Sequence, residues 1–329
     1  MNERADNNIA QEAPVRGGTS ALSVRSANLL FLITVLCLTI LSGISERSLP
    51  SSVPIVITYI IMLITAVLLC RKEGIPFPQA FRFRKVRGRT LLMAVIITVA
   101  LQPVAGLIAN LTNLLFPNLL DVVSNSLYGG PFLLNIVTVA LIPGFCEEFL
   151  LRGNAANAYS RTGRVRAAVL LSSLLFGLIH QNATQFFYAF AMGVVLALLF
   201  LASDSIWPGV LVHFLNNGAS VVEELVKKQH GAEFSNRIFV FSKIDFSNAK
   251  NVIFYVLAFL IGLAVIGLCL RVVARDEGNE QVLAQCTKGG GGTAKLWTPA
   301  LVIAFIFLIV ITVIITGAMF FADEIGLSF

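Results

Sequence analysis

Nine stretches of this chain are apolar for long enough to cross a lipid bilayer, and that pattern restricts the possible folds more than any other property. They run over about 27–48, 53–70, 91–111, 131–160, 166–182, 185–203, 206–226, 252–273 and 297–321. A hydrocarbon core roughly 30 Å thick is crossed by about 20 helical residues. The 329 residues are 57% hydrophobic and only 13% charged, with a mean hydropathy of +0.84, values outside the range of a soluble domain. The expected fold is all-α, a polytopic transmembrane helical bundle of eight to nine spans.

The polar stretch 1–26 is expected to be a disordered cytoplasmic segment. The run after it lacks a cleavage-site pattern and reads as an uncleaved anchor. Lys and Arg accumulate in cytoplasmic loops beside membrane helices. With the N-terminus placed in the cytoplasm, eighteen of the 24 basic residues fall on that side, seven of them in 71–89, and six fall on the other. The net charge of +6 then reflects topology and attraction to anionic lipid, with the bilayer as partner and no nucleic acid. Phe81 and Phe83, set between arginines, read as a lipid-surface anchor. Segment 27–130 reads as scaffold helices, because its spans hold no ionisable residue away from their ends. Segment 131–226 holds the unusual polar residues and reads as a catalytic core of four helices. Segment 227–329 contains a mixed-charge loop, a span, the Gly-rich connector Gly289–Gly292 and an appended C-terminal anchor helix.

Within 131–226 three clusters stand in apolar surroundings: Glu147-Glu148-x-x-x-Arg152, Phe176-x-x-x-His180 and His213-x-x-x-Asn217. A charged residue at the centre of a membrane helix costs about 2.5–3.5 kcal/mol on insertion scales, so such a cluster points to function. Helical residues four apart share a face, so Glu148 pairs with Arg152 and Glu147 is left as the unpaired carboxylate. Pro143 and Gly144, one turn earlier, either open space and free a backbone carbonyl for a substrate or a water, or form a simple kink or helix-packing notch. The turn Arg161-Thr162-Gly163-Arg164 reverses the chain, with Glu147 16 residues before Gly163 and His180 17 after it. Equal distance from a helical turn means equal depth, so Glu147 and His180 should face one another. This requires the helix to continue through Asn154, Asn157 and Tyr159 as a polar extension into the cytoplasmic interface. The same counting leaves His213 about 10 Å away from His180 in depth.

The chemistry that follows is hydrolysis of a peptide bond. Glu147, assisted by His180, activates a water, while His213 and Asn217 hold the developing oxyanion. In a competing arrangement Glu147, His180 and His213 bind zinc, although no His-Glu-x-x-His signature is present. A proton-coupled transporter would also use buried Glu, His and Arg, but no matching repeat halves are visible.

At these residues the chain resembles the CAAX prenyl protease type II and bacteriocin-processing family of intramembrane proteases. The resemblance covers roughly 131–226 and rests on all three motifs standing in order. It implies that Glu147 and His180 are the water-activating pair, that His213 and Asn217 stabilise the oxyanion, and that Glu148 and Arg152 support them. It further implies a peptide or membrane-protein substrate, lipidated in some members. Both metal-dependent and glutamate-dependent mechanisms have been proposed for the family.

Overall fold

The computed structural model describes residues 21–45, 52–117, 128–288 and 295–324. Most of the N-terminal segment and the Gly289–Gly292 connector lie outside them. The described residues are all-α, with no strand among them. Helices α1 (Val24–Ser45) and α2 (Ser52–Glu73) pack side by side and are followed by a short α3 (Phe77–Ala80) and by α4 (Gly88–Asn113). A long α5 (Phe132–Ser160) leads into α6 (Val165–Leu178), α7 (Ala183–Ser203) and α8 (Trp207–His230). The chain ends with a short α9 (Ala232–Ile238), α10 (Ala249–Glu277), α11 (Glu280–Lys288) and α12 (Pro299–Glu324).

Among the described residues, seven helices are long and apolar enough to span a membrane: α1, α2, α4, α5, α7, α10 and α12. This is a multi-pass integral membrane protein with fewer such helices than the eight to nine spans expected. Two of the expected spans fall short for different physical reasons. Helix α6 has only 14 residues, about 21 Å at 1.5 Å per residue. Helix α8 is long enough, but its apolar character is broken by His213, Asn216, Asn217, Glu223, Glu224, Lys227 and Lys228.

Aliphatic side chains such as Val99 on α4 and Ile261 on α10 point outward, as lipid-facing residues do. Helix α12 is part of the bundle and not merely appended to it. Leu301, Ala304 and Leu308 are buried in the main core, α12 packs along α1, and Asn28 of α1 donates to the Leu296 carbonyl at 2.9 Å.

The basic segment 71–89 also departs from its expected role at the lipid surface. Phe81 is fully buried and stacks on Phe149 of α5 at 4.0 Å, while Phe83 packs against Phe149 and Trp207. Arg82 is buried and pairs with Asp204, which Arg84 also meets at 3.0 Å. Ser205 Oγ donates to the Arg84 carbonyl at 2.6 Å. This segment therefore covers the turn between α7 and α8, and Ser203, Ser205 and Ile206 are fully buried beneath it. A recessed turn starts α8 inside the protein, with Pro208 in its first turn as a proline tolerates.

Candidate active site

Helix α5 carries the two carboxylates. It is α-helical over Ile142–Glu148 and π-helical on either side, over Ile136–Leu141 and Phe149–Ala156. Such widened turns recur at functional sites because they re-aim side chains without ending a helix. Pro143 has no N–H, so the Val139 carbonyl four residues earlier lacks its α-helical donor. Asn217 of α8 supplies one, with Nδ2 donating to Val139 O at 3.1 Å. Of the two readings of Pro143-Gly144, the structure shows the packing one: the freed carbonyl ties α5 to α8. Gly144 allows the close approach, since a Cβ there would lie 3.1 Å from the Phe214 backbone nitrogen.

The sequence spacing correctly separates the carboxylates. Glu148 and Arg152 are fully buried, and Arg152 Nη1 donates to Glu148 Oε1 at 2.8 Å. The guanidinium also donates to the Gly193 carbonyl of α7 at 3.1 Å and lies over the Phe176 ring, 4.6 Å from its centroid. Glu147 is different. Its side chain keeps 18% of its surface accessible, whereas Oε2 lacks a hydrogen-bond partner in both acids. Only Glu147, of the two acids, can meet a substrate.

His213 stands between them. Nδ1 donates to Glu148 Oε1 at 3.0 Å, which leaves Nε2 as the acceptor nitrogen, 3.8 Å from Glu147 Oε2. His180 is held in the same tautomer by donating from Nδ1 to the Phe176 carbonyl at 2.8 Å. Both imidazoles meet the Phe176 ring edge to face, at 5.2 and 5.4 Å between centroids. The separation in depth expected between His213 and His180 is therefore absent, because the recessed α7–α8 turn lowers the start of α8. The order of proximity to Glu147 changes too. His213 is the imidazole nearest to it, while His180 lies within electrostatic range without direct contact.

The turn carrying His180 is anchored from three directions. Gln181 Nε2 donates to Thr39 Oγ1 of α1 at 2.6 Å, Thr184 Oγ1 to the Pro117 carbonyl at 2.7 Å, and the Ala183 N–H to Thr316 Oγ1 of α12 at 3.2 Å. Helix α5 does run on through Asn154, Asn157 and Tyr159, and this polar extension is buried within the protein. Its amides donate to the Ala27 and Ala80 carbonyls at 3.0 and 2.7 Å. The lipid-like interior demands such pairing.

One residue in contact with the site was missed from sequence. Tyr59, on a helix expected to be scaffold, is nearly buried, and its hydroxyl donates to Glu147 Oε1 at 3.3 Å. The available signal was that Tyr59 is the lone aromatic residue of α2.

Unprotonated Nε2 atoms near a carboxylate suit either a base or a metal. The spacing does not suit a metal: among the described residues no three His, Cys, Asp or Glu side chains converge closely enough to hold an ion. Glu147, His180 and His213 thus do not fit a zinc site in this arrangement.

No curated protein and no solved structure matches this chain. Residues 129–219 match the family model described as type II CAAX prenyl endopeptidase Rce1-like, a segment that contains Glu147, Glu148, Arg152, His180, His213 and Asn217. With its polar cluster built among apolar helices, residues 129–219 of this membrane protein form a domain of the Rce1-like type II CAAX prenyl endopeptidase family, a family of proteases.

Proposed function

We propose that the chain hydrolyses a peptide bond of a membrane-associated substrate, such as a CAAX-like lipidated peptide, with Glu147 as the general base. The observation that carries this reading is the partnerless Oε2 of Glu147, set 3.8 Å from a histidine nitrogen whose proton-bearing side is held by a second carboxylate. A water within reach of Oε2 and His213 Nε2 would lose a proton to that pair as its oxygen attacks the carbonyl carbon. Glu148 holds the His213 ring and stabilises the imidazolium, as a buried carboxylate behind a catalytic histidine does. Protonated at Nε2, His213 becomes a donor to the oxyanion of the tetrahedral intermediate. Asn217 uses one amide hydrogen on Val139 and retains a second for the same purpose. His180 offers Nε2 as an acceptor for the water. Collapse of the intermediate breaks the C–N bond as the proton taken from water passes to the leaving amine. No step requires a covalent enzyme intermediate. The basic segments, by charge asymmetry, belong to the cytoplasmic side, with the N-terminus.

The test is cleavage by the purified protein in proteoliposomes of a farnesylated CAAX peptide and of membrane-peptide pools, with and without chelator. Glu147→Gln should lower the rate by at least about 10²-fold, the span of general-base catalysis, while leaving the protein folded. A Glu147→Gln protein that cleaves at the native rate would refute the reading. Chelator-sensitive cleavage restored by zinc would replace it with metal-assisted hydrolysis.

A further inference from the structure

Tyr59 lies 70 residues before the start of the domain formed by 129–219, yet it touches that domain's accessible carboxylate. A carboxylate has two oxygens and about four lone-pair directions, and rotation about its last bond exchanges the oxygens. In Glu147 they are not equivalent. Oε1 accepts from the Tyr59 hydroxyl, while Oε2 is buried without a hydrogen-bond partner and lies toward His213 Nε2. Glu147 is also within the electrostatic influence of Cys146 and Arg152 on its own helix, of His180, and of Tyr188 from α7. Among the described residues only Tyr59 makes a side-chain hydrogen bond to it.

We propose that Tyr59 is a positioning residue for Glu147: by holding Oε1 it fixes the carboxylate plane and keeps Oε2 directed at the place between Glu147 and His213 where a water would sit. Two properties of α2 suit this task. The tyrosine is 7% exposed, so lipid and bulk water do not compete for its hydroxyl. Its helix packs along α1, whose Thr39 holds the turn bearing His180, so α1 and α2 together brace the acid and one imidazole from outside the protease domain. Removal of the donor should free the carboxylate to rotate. The role rests on the assignment of Glu147 as base.

Tyr59→Phe deletes one oxygen and keeps the ring, so packing is retained. In the proteoliposome assay this variant should show a kcat about tenfold lower, the scale of one charge-assisted hydrogen bond, with KM unchanged. A second readout needs no substrate: infrared difference spectra, with the Glu147 carboxylate band identified by its loss in Glu147→Gln, should show that band shifted in Tyr59→Phe, because a hydrogen-bond donor has left the carboxylate. Native kcat and an unmoved Glu147 band in Tyr59→Phe, beside an inactive Glu147→Gln, would overturn the role of Tyr59 and leave the base assignment standing. An active Glu147→Gln would remove the base assignment itself, whatever Tyr59→Phe does. A fall in kcat accompanied by lost thermal stability, with the Glu147 band in place, would mark Tyr59 as merely structural and likewise overturn the proposal.

Discussion

Replacement of Arg152 by methionine tests whether the buried ion pair supports the site or merely occupies it. Methionine fills much of the same volume without the charge, and Glu148 then remains fully buried with its main neutralising partner gone. Three interactions disappear together: the 2.8 Å bond to Glu148, the 3.1 Å bond to the Gly193 carbonyl and the cation–π contact with Phe176 at 4.6 Å. Removal of one partner of a buried pair costs about 3–5 kcal/mol, chiefly because the other charge stays uncompensated, and a desolvated cation–π contact adds up to about 2 kcal/mol. The loss should therefore be at least about 3 kcal/mol, read as a shift in the unfolding midpoint of the protein in mixed micelles. The double variant Glu148→Gln/Arg152→Met leaves no buried charge and should regain a large part of that loss, with a coupling of at least about 2 kcal/mol in the double-mutant cycle. It should nevertheless be impaired in cleavage, because a neutral amide facing His213 Nδ1 no longer stabilises an imidazolium. A single variant that unfolds within about 0.5 kcal/mol of the native protein, the range of inert surface substitutions, would refute the reasoning.

Two glycines on α8 should separate cleanly. A Cβ at Gly209 would lie 2.9 Å from Glu148 Oε2, whereas at Gly218 nothing stands within 4 Å. Because Glu148 is held by both Arg152 and His213, Gly209→Ala must displace all three and should reduce cleavage sharply. Gly218→Ala should leave cleavage unchanged and raise the unfolding midpoint slightly, through about 0.5–1 kcal/mol of helix preference. Asn217→Ala leaves the part-buried Val139 carbonyl beside Pro143 without its side-chain donor, and should cost about 1 kcal/mol of stability, the lower end of the penalty for an unpaired acceptor, besides lowering kcat. Asn217→Asp, which brings an acceptor against a carbonyl, should be worse than Asn217→Ala in both measurements.

Much of the site could be read from residue order because helical geometry is local. Four-residue spacing was enough to pair Glu148 with Arg152 and to leave Glu147 unpaired, since one α-helix sets both relationships. The turn at 161–164 and the continuation of α5 to Ser160 follow from the same short-range rules. Apolar run length, likewise a local property, announced an all-helical membrane protein, and it misled where a helix was short, as in α6, or polar along one part, as in α8. Depth counting failed for His213 for a different reason: it assumes that turns lie at the membrane surface, and the α7–α8 turn is sunk beneath Phe81, Arg82 and Arg84.

The covalent order of residues by itself determined the fold class, the placement of the acids and histidines on helices, and which acid is neutralised by its own helix. Tertiary structure alone decided which imidazole lies nearest to Glu147, where the carbonyl left by Pro143 finds its donor, and that α1, α2 and α12 brace a site whose motifs they do not carry. The reason is range. Hydrogen bonds within a helix join residues four apart, whereas Tyr59 meets Glu147 across 88 residues and Ala183 meets Thr316 across 133. Such pairs are selected by how whole helices pack, which no spacing along the chain records.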